Sequence, residues 1–202
     1  MASIQLFVVG SLCEGMIHHS LIQNFIVSRR LVAVPGKILK NKVGYPYLVN
    51  DPSFQVQGVI YEIEAPEFLW KLIDEHQGYQ ALNPDVGLSF KKSVTAVDGD
   101  GNQYEVWAYY INLEKMKEPL VETKGTCWME ELKTVPPLPE KLTDKQRSYI
   151  KKLGASSGRD IVPIDLTLYR ELMSLELIVD KGRRLALSGL GKEVYKYIGV
   201  TV

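Results

Sequence analysis

The feature that most limits this chain is a short turn, Asp98-Gly99-Asp100-Gly101, set between two runs of strand character, Leu88–Val97 and Tyr104–Ile111. Those four residue types favour a tight hairpin, so the two runs are expected to be antiparallel neighbours in one sheet. Other runs of strand length fall at Ile4–Val9, at Leu31–Leu39 (broken by Pro35-Gly36) and at Val56–Ile63. Helical spacing appears twice. Leu21, Ile22, Phe25 and Ile26 predict a helix over His18–Val27. Phe68, Leu69, Leu72 and Ile73 predict another, starting near Pro66 and stopping near Gly78. Asn41–Tyr47 reads as a loop. The first 112 residues are thus expected to form a strand-rich α+β domain with mostly antiparallel pairing.

Composition narrows the class. The chain has 202 residues, enough for one domain and a small appendage, and its 46% hydrophobic and 24% charged residues are those of an ordinary globular protein. Lys+Arg and Asp+Glu each number 24, so nothing global favours nucleic acid or an anionic membrane. Two cysteines, Cys13 and Cys127, make no disulfide framework and read as reduced thiols of a cytoplasmic protein. His18, His19 and His76 lack metal-ligand spacing. The N-terminal apolar run is too short for a signal segment or a membrane span.

One stretch carries a chemical hint. Val8-Val9-Gly10-Ser11-Leu12-Cys13-Glu14-Gly15 closes a strand and opens a glycine-framed polar turn, where backbone N–H groups can come close to an anion. The same pattern also fits a plain strand–turn–helix junction.

Six pieces, in order, resemble one family. Val9-Gly10-Ser11-Leu12-Cys13-Glu14-Gly15 resembles the strand–Tyr-Gly-Ser-Leu–turn–Gly opening of the γ-glutamylcyclotransferase-like (AIG2-like) family. Gly44-Tyr45-Pro46 matches its internal loop, and Gly58-Val59-Ile60-Tyr61 its following strand. Ile73-Asp74-Glu75-His76-Gln77-Gly78-Tyr79 matches its helix-end motif. Phe90-Lys91 with Val94 and Val97, then Trp107-Ala108-Tyr109-Tyr110, stand where its last strands would be. The resemblance implies a small, mostly antiparallel β-barrel with flanking helices. It also implies a pocket for a γ-glutamyl-type amine or peptide, lined by Val9, Gly10, Ser11, Leu12, Gly44, Tyr45 and Tyr110. In that family the substrate's own α-amine attacks its γ-carbonyl, releasing an amine and 5-oxoproline. This transferase or lyase step uses no cofactor, and a glutamate removes the α-ammonium proton.

Here the residue at that glutamate's place is Gln77. An amide is isosteric with a carboxylate and can hold an ammonium, but it does not take a proton near pH 7. Val9 and Phe90 likewise stand where the family pattern has tyrosine. Three readings stay open: a binding module without turnover, a substitute base at Asp74 or Glu75, or an alignment in which Glu75 is the true equivalent. Asp74 lies three residues from Gln77 and shares its helix face, whereas Glu75 does not. His76 reads as structural or exposed, and Cys13 as a small buried thiol that becomes a nucleophile only if its pKa is lowered. Trp107, Tyr109 and Tyr110 read as barrel wall, and Lys91 and Lys92 as exposed strand charges.

The remainder has another character. Val135-Pro136-Pro137-Leu138-Pro139 suggests a semi-rigid linker. Beyond it come two helices, a hairpin tipped by Lys181-Gly182-Arg183-Arg184 and a last helix capped by Ser188, an order that resembles a winged-helix tail. The expected division is 1–132 for the cyclotransferase-like domain, 133–142 for the linker and 143–202 for the helical tail. Nucleic acid is not the expected partner of the tail. Homodimerisation or docking is.

Overall fold

The computed structural model describes residues 3–64, 66–123, 128–156 and 160–199. Cys127, Arg159 and the Ser157–Gly158 part of the expected break near Gly154 lie outside them. The chain divides into two compact units, one of residues 1–41 with 45–135, the other of 42–44 with 136–202.

The first unit is built from β1 (Ser3–Val8), β2 (Ile26–Pro35), β3 (Lys37–Lys40), β4 (Pro46–Val49), β5 (Gln55–Glu64), α1 (Glu67–Gln77), β6 (Ser89–Val97), β7 (Gln103–Ile111), β8 (Val121–Glu122) and α2 (Trp128–Thr134). Five strands form a closed barrel in the order β1-β5-β2-β6-β7. Its ladders are antiparallel except at the closure, where β1 meets β7 in parallel at Leu6 and Trp107. The Asp98 turn forms as expected. Asp98 Oδ1 accepts from the N–H groups of Asp100 (3.0 Å) and Asn102 (2.9 Å), and Val97 pairs with Gln103 across it. Val34, Ile63, Ala96, Val106, Ala108 and Tyr110 are among the side chains buried in its core. Each aliphatic side chain removed from water there contributes about 2 kcal/mol.

The helix expected over His18–Val27 is absent. Short 3-10 turns at His19–Leu21 and Gln23–Phe25 lead directly into β2, whose first residue, Ile26, pairs with Ile63 of β5. The apolar spacing is real, but Leu21 and Ile22 bury from a turn, and strand pairing claims the β-branched residues that follow.

α1 positions the last turn that the sequence singled out. Pro66 precedes it, Glu67 carries negative charge into its first turn, and Leu69 and Ile73 bury against the barrel. Gly78 stops it at φ +71°, with Gly78 N–H donating to Glu75 O (3.0 Å) and Tyr79 N–H to Asp74 O (2.8 Å).

The second unit holds α3 (Leu138–Lys141), α4 (Asp144–Ala155), α5 (Leu166–Ser174), the hairpin β9 (Ile178–Asp180) and β10 (Leu185–Leu187), and α6 (Gly189–Ile198). Thr143 and Gln146 form a reciprocal capping box on α4, while Asp165 caps α5 and Ser188 caps α6. The proline-rich stretch is therefore not all extended, since Leu138–Lys141 is a helical turn begun after Pro137. Ile150, Leu172, Leu177 and Val194 are buried within the unit, and Lys181, Arg183 and Arg184 are exposed at the hairpin tip. No helix among the described residues is long and apolar enough to cross a membrane.

Candidate functional site

The loop after β1 is a 3-10 turn, Gly10–Leu12. Gly10 has φ +77°, and a Cβ added there would sit 3.3 Å from the Pro46 carbonyl oxygen, so glycine alone suits both the backbone and the approach. The loop is held from several sides. Cys13 N–H donates to Gly10 O (3.0 Å), His18 N–H to Ser11 O (3.0 Å), and Glu14 N–H to the Tyr61 hydroxyl (3.0 Å). A carbonyl only accepts, so His19 Nδ1, 2.9 Å from Leu12 O, carries the proton. Three stretches that looked separate in sequence, around Gly10, Pro46 and Tyr61, thus meet. The leading N–H groups of such a turn have no intrahelical partners.

A narrow cleft of about 10 Å3 lies beside this loop, lined by Leu6, Phe7, Val8, Val9, Leu12, Leu48, Gln77 and Tyr109. That is room for roughly one water molecule, so a larger ligand requires the wall side chains to move. Val9, Leu12 and Gln77 therefore come together, with Gly10 and Ser11 adjoining them in the chain. Ser89 Oγ fixes the Gln77 carbonyl by donating to it (2.7 Å). Gly44 and Tyr45 do not line the cleft. A Cβ on Gly44 would meet Pro137 Cα at 3.1 Å, and Tyr45 is buried, its N–H donating to Asn41 Oδ1 (2.9 Å). Nor does Tyr110, whose hydroxyl donates to Pro35 O (2.8 Å). Tyr109 stands at the cleft instead, because successive strand residues face opposite sides.

Asp74 and Glu75 have different surroundings. Glu75 is exposed. Asp74 Oδ1 accepts from Lys91 Nζ (3.0 Å) and from the Tyr109 hydroxyl. Burial, then the bond to Asp74, pushes the Tyr109 phenol well above its ordinary range, so it stays protonated. Lys91 is not the exposed strand charge that the sequence suggested. Its side chain is 18% exposed, opposite Tyr109 on the β6–β7 ladder, with Nζ 5.6 Å from the ring centres of Trp70, Trp107 and Tyr109 and 5.9 Å from that of Tyr79. Four aromatic faces and one carboxylate enclose the ammonium, a desolvated cation–π arrangement.

On the other side of Gln77 the chemistry is neutral. Ser11 Oγ lies 3.2 Å from His76 Nε2, and the rings of His18 and His76 meet edge-on with centres 4.5 Å apart. Burial, helped by His18, pulls His76 down to about 4, so its imidazole is neutral at pH 7. No local pattern joins Ser11 to His76, and the sequence reading passed over the pair. Cys13 is buried and its thiol is pushed up to about 12, so the condition for a nucleophilic thiolate is not met.

A wider groove of about 590 Å3 is lined by Ser3, Ile4, Gln5, Glu62, Gln103, Tyr104, Glu105 and Trp107. It is the larger concavity but the poorer site: it is open, and Glu62 already accepts from Ser3 (2.9 Å) and Ser28 (2.7 Å). Among the described residues no group of three or more His, Cys, Asp or Glu could hold a metal ion.

Residues 6–130 match the model of the family described as gamma-glutamyl cyclotransferase, AIG2-like. Among solved structures, YkqA from Bacillus subtilis is similar at 18% identity and TM-score 0.48, over 66% of this chain and 42% of that one. An AIG2-like protein from Mus musculus is similar at 16% identity and TM-score 0.46, over 62% and 90%. A chain described as gamma-glutamyl cyclotransferase is similar at 12% identity and TM-score 0.47, over 86% and 99%. No curated protein matches this chain at a significant level.

Proposed function

The chain belongs to the gamma-glutamyl cyclotransferase, AIG2-like family, and on that premise we propose that it takes a small γ-glutamyl-type amine or peptide at the cleft between Gly10–Leu12 and Gln77, with ring closure to 5-oxoproline curtailed. The observation that supports this reading is the side chain at the end of α1. Gln77 lines the cleft as a neutral amide, and the nearby carboxylate, Asp74, is committed to Lys91 and Tyr109. The Gln77 carbonyl oxygen of the amide can accept a hydrogen bond from a substrate α-ammonium and orient it. It does not free the amine lone pair that must attack. General-base help is worth about 10²–10⁴ in rate, and that part of the family's route is missing here. The loop N–H groups retain their use, since they can bind a carboxylate or steady charge on a carbonyl oxygen.

The test is 5-oxoproline release from a panel of γ-glutamyl amines and dipeptides by the native chain and by Gln77→Glu. We expect a rise of at least about a hundredfold in the variant. Native turnover that Gln77→Glu leaves unchanged would show that the base stands elsewhere and would sink this reading.

A further inference from the structure

We propose that Ser11 and His76 form a nucleophile–base pair, so that a γ-glutamyl-type amide held in the cleft is turned toward acyl transfer onto water rather than ring closure. The proposal rests on the ligand class proposed above for that cleft. It addresses a different bond-making atom, a hydroxyl of the protein instead of the substrate's amine.

Three observations carry it. The Ser11 hydroxyl and His76 Nε2 are at hydrogen-bond distance, 3.2 Å, the relation an activated serine needs. The pair stands beside the cleft and not in its present wall: Leu12, which follows Ser11, and Gln77, which follows His76, line it, so an amide reaches Ser11 Oγ only as the wall side chains move to admit it. The pair is held in place, because His18 packs edge-on against the His76 ring while its N–H fixes the Ser11 carbonyl at 3.0 Å. The imidazole is neutral, so it can accept a proton where Gln77 does not.

The step balances without a cofactor. As Ser11 Oγ bonds to the γ-carbonyl carbon, its proton passes to His76 Nε2. The carbonyl–nitrogen bond then breaks, and His76 hands that proton to the departing amine. A γ-glutamyl ester on Ser11 remains. Water attacks the ester carbon, giving one proton to His76, and the serine oxygen leaves with it. The products are a free γ-carboxylic acid and an amine, with Ser11 and His76 restored.

The experiment uses the full chain, an alkyl fluorophosphonate and γ-glutamyl-p-nitroanilide. Intact mass and peptide mapping should show one phosphonyl adduct on Ser11, none on Ser11→Ala, and labelling slowed at least about a hundredfold in His76→Asn. From the anilide, free glutamate should accumulate. Failure of the folded native chain to acquire a Ser11 adduct would overturn the proposal, as would 5-oxoproline as the product. The shift in melting temperature caused by a γ-glutamyl amide is read separately. A shift without an adduct removes the serine–histidine pair and leaves the pocket standing. No shift and no adduct removes both.

Discussion

Asp74 and Gln77 stand one turn apart on α1, and their surroundings differ in kind. Asp74 is enclosed with a cation, a phenol and aromatic faces. Gln77 has no charge and faces a cleft walled mainly by apolar side chains. A carboxylate in the first place is compensated. In the second it would be paired only when a cationic ligand arrived. The difference teaches where this helix end can carry charge at rest, and it separates the residue that supports the wall from the residues that can do chemistry.

The strongest way to break that contrast is to remove the cation. Lys91→Met leaves Asp74, whose side chain is only 16% exposed, without its partner, and should cost about 3 kcal/mol, read as a lower urea midpoint. The double variant Lys91→Met with Asp74→Asn should recover most of the loss. If it does not, packing of the lysine stem against the rings outweighs the charge pair.

Acid sharpens the comparison on the neutral side. His76 is held at about 4 in the folded chain by burial and by the facing His18, against 6.5 when free. Above pH 6.5 both states are neutral there and stability is flat. As pH falls from 6.5 to 4 the unfolded chain binds the proton and the folded one does not, so roughly 3 kcal/mol is lost across that window. Urea melts of the native chain and of His76→Asn at pH 7 and pH 4.5 should diverge, with the variant less sensitive to acid.

The smallest effect is expected from placing a carboxylate in the neutral position. Gln77→Glu should lower stability by about 1 kcal/mol while it opens the family's route, a trade of stability for activity measurable in the same preparation.

These contrasts were only partly legible in the chain. The stop of α1 at Gly78 and the turn at Asp98 are local signals, and both were readable. Lys91 was misjudged although its place could be counted. Pairing outward from Val97 and Gln103 brings Lys91 opposite Tyr109. What the sequence could not show is that α1 covers that face and brings Trp70 and Asp74 onto it. Ser11 and His76 are joined only by the fold, so no spacing rule could find them. The helix expected over His18–Val27 failed for the opposite reason, a genuine local period overruled by pairing with β5.

The enclosure around Lys91 has an optical consequence. Of the three tryptophans in the chain, Trp70 and Trp107 both face its ammonium, whereas Trp128 is buried with its indole N–H donating to Gln57 O. Tyr109 belongs to the same enclosure and to the cleft wall. Any occupant that displaces Tyr109 therefore changes the field felt by two indoles at once. The protein carries a built-in fluorescent probe of its own cleft, with no added dye.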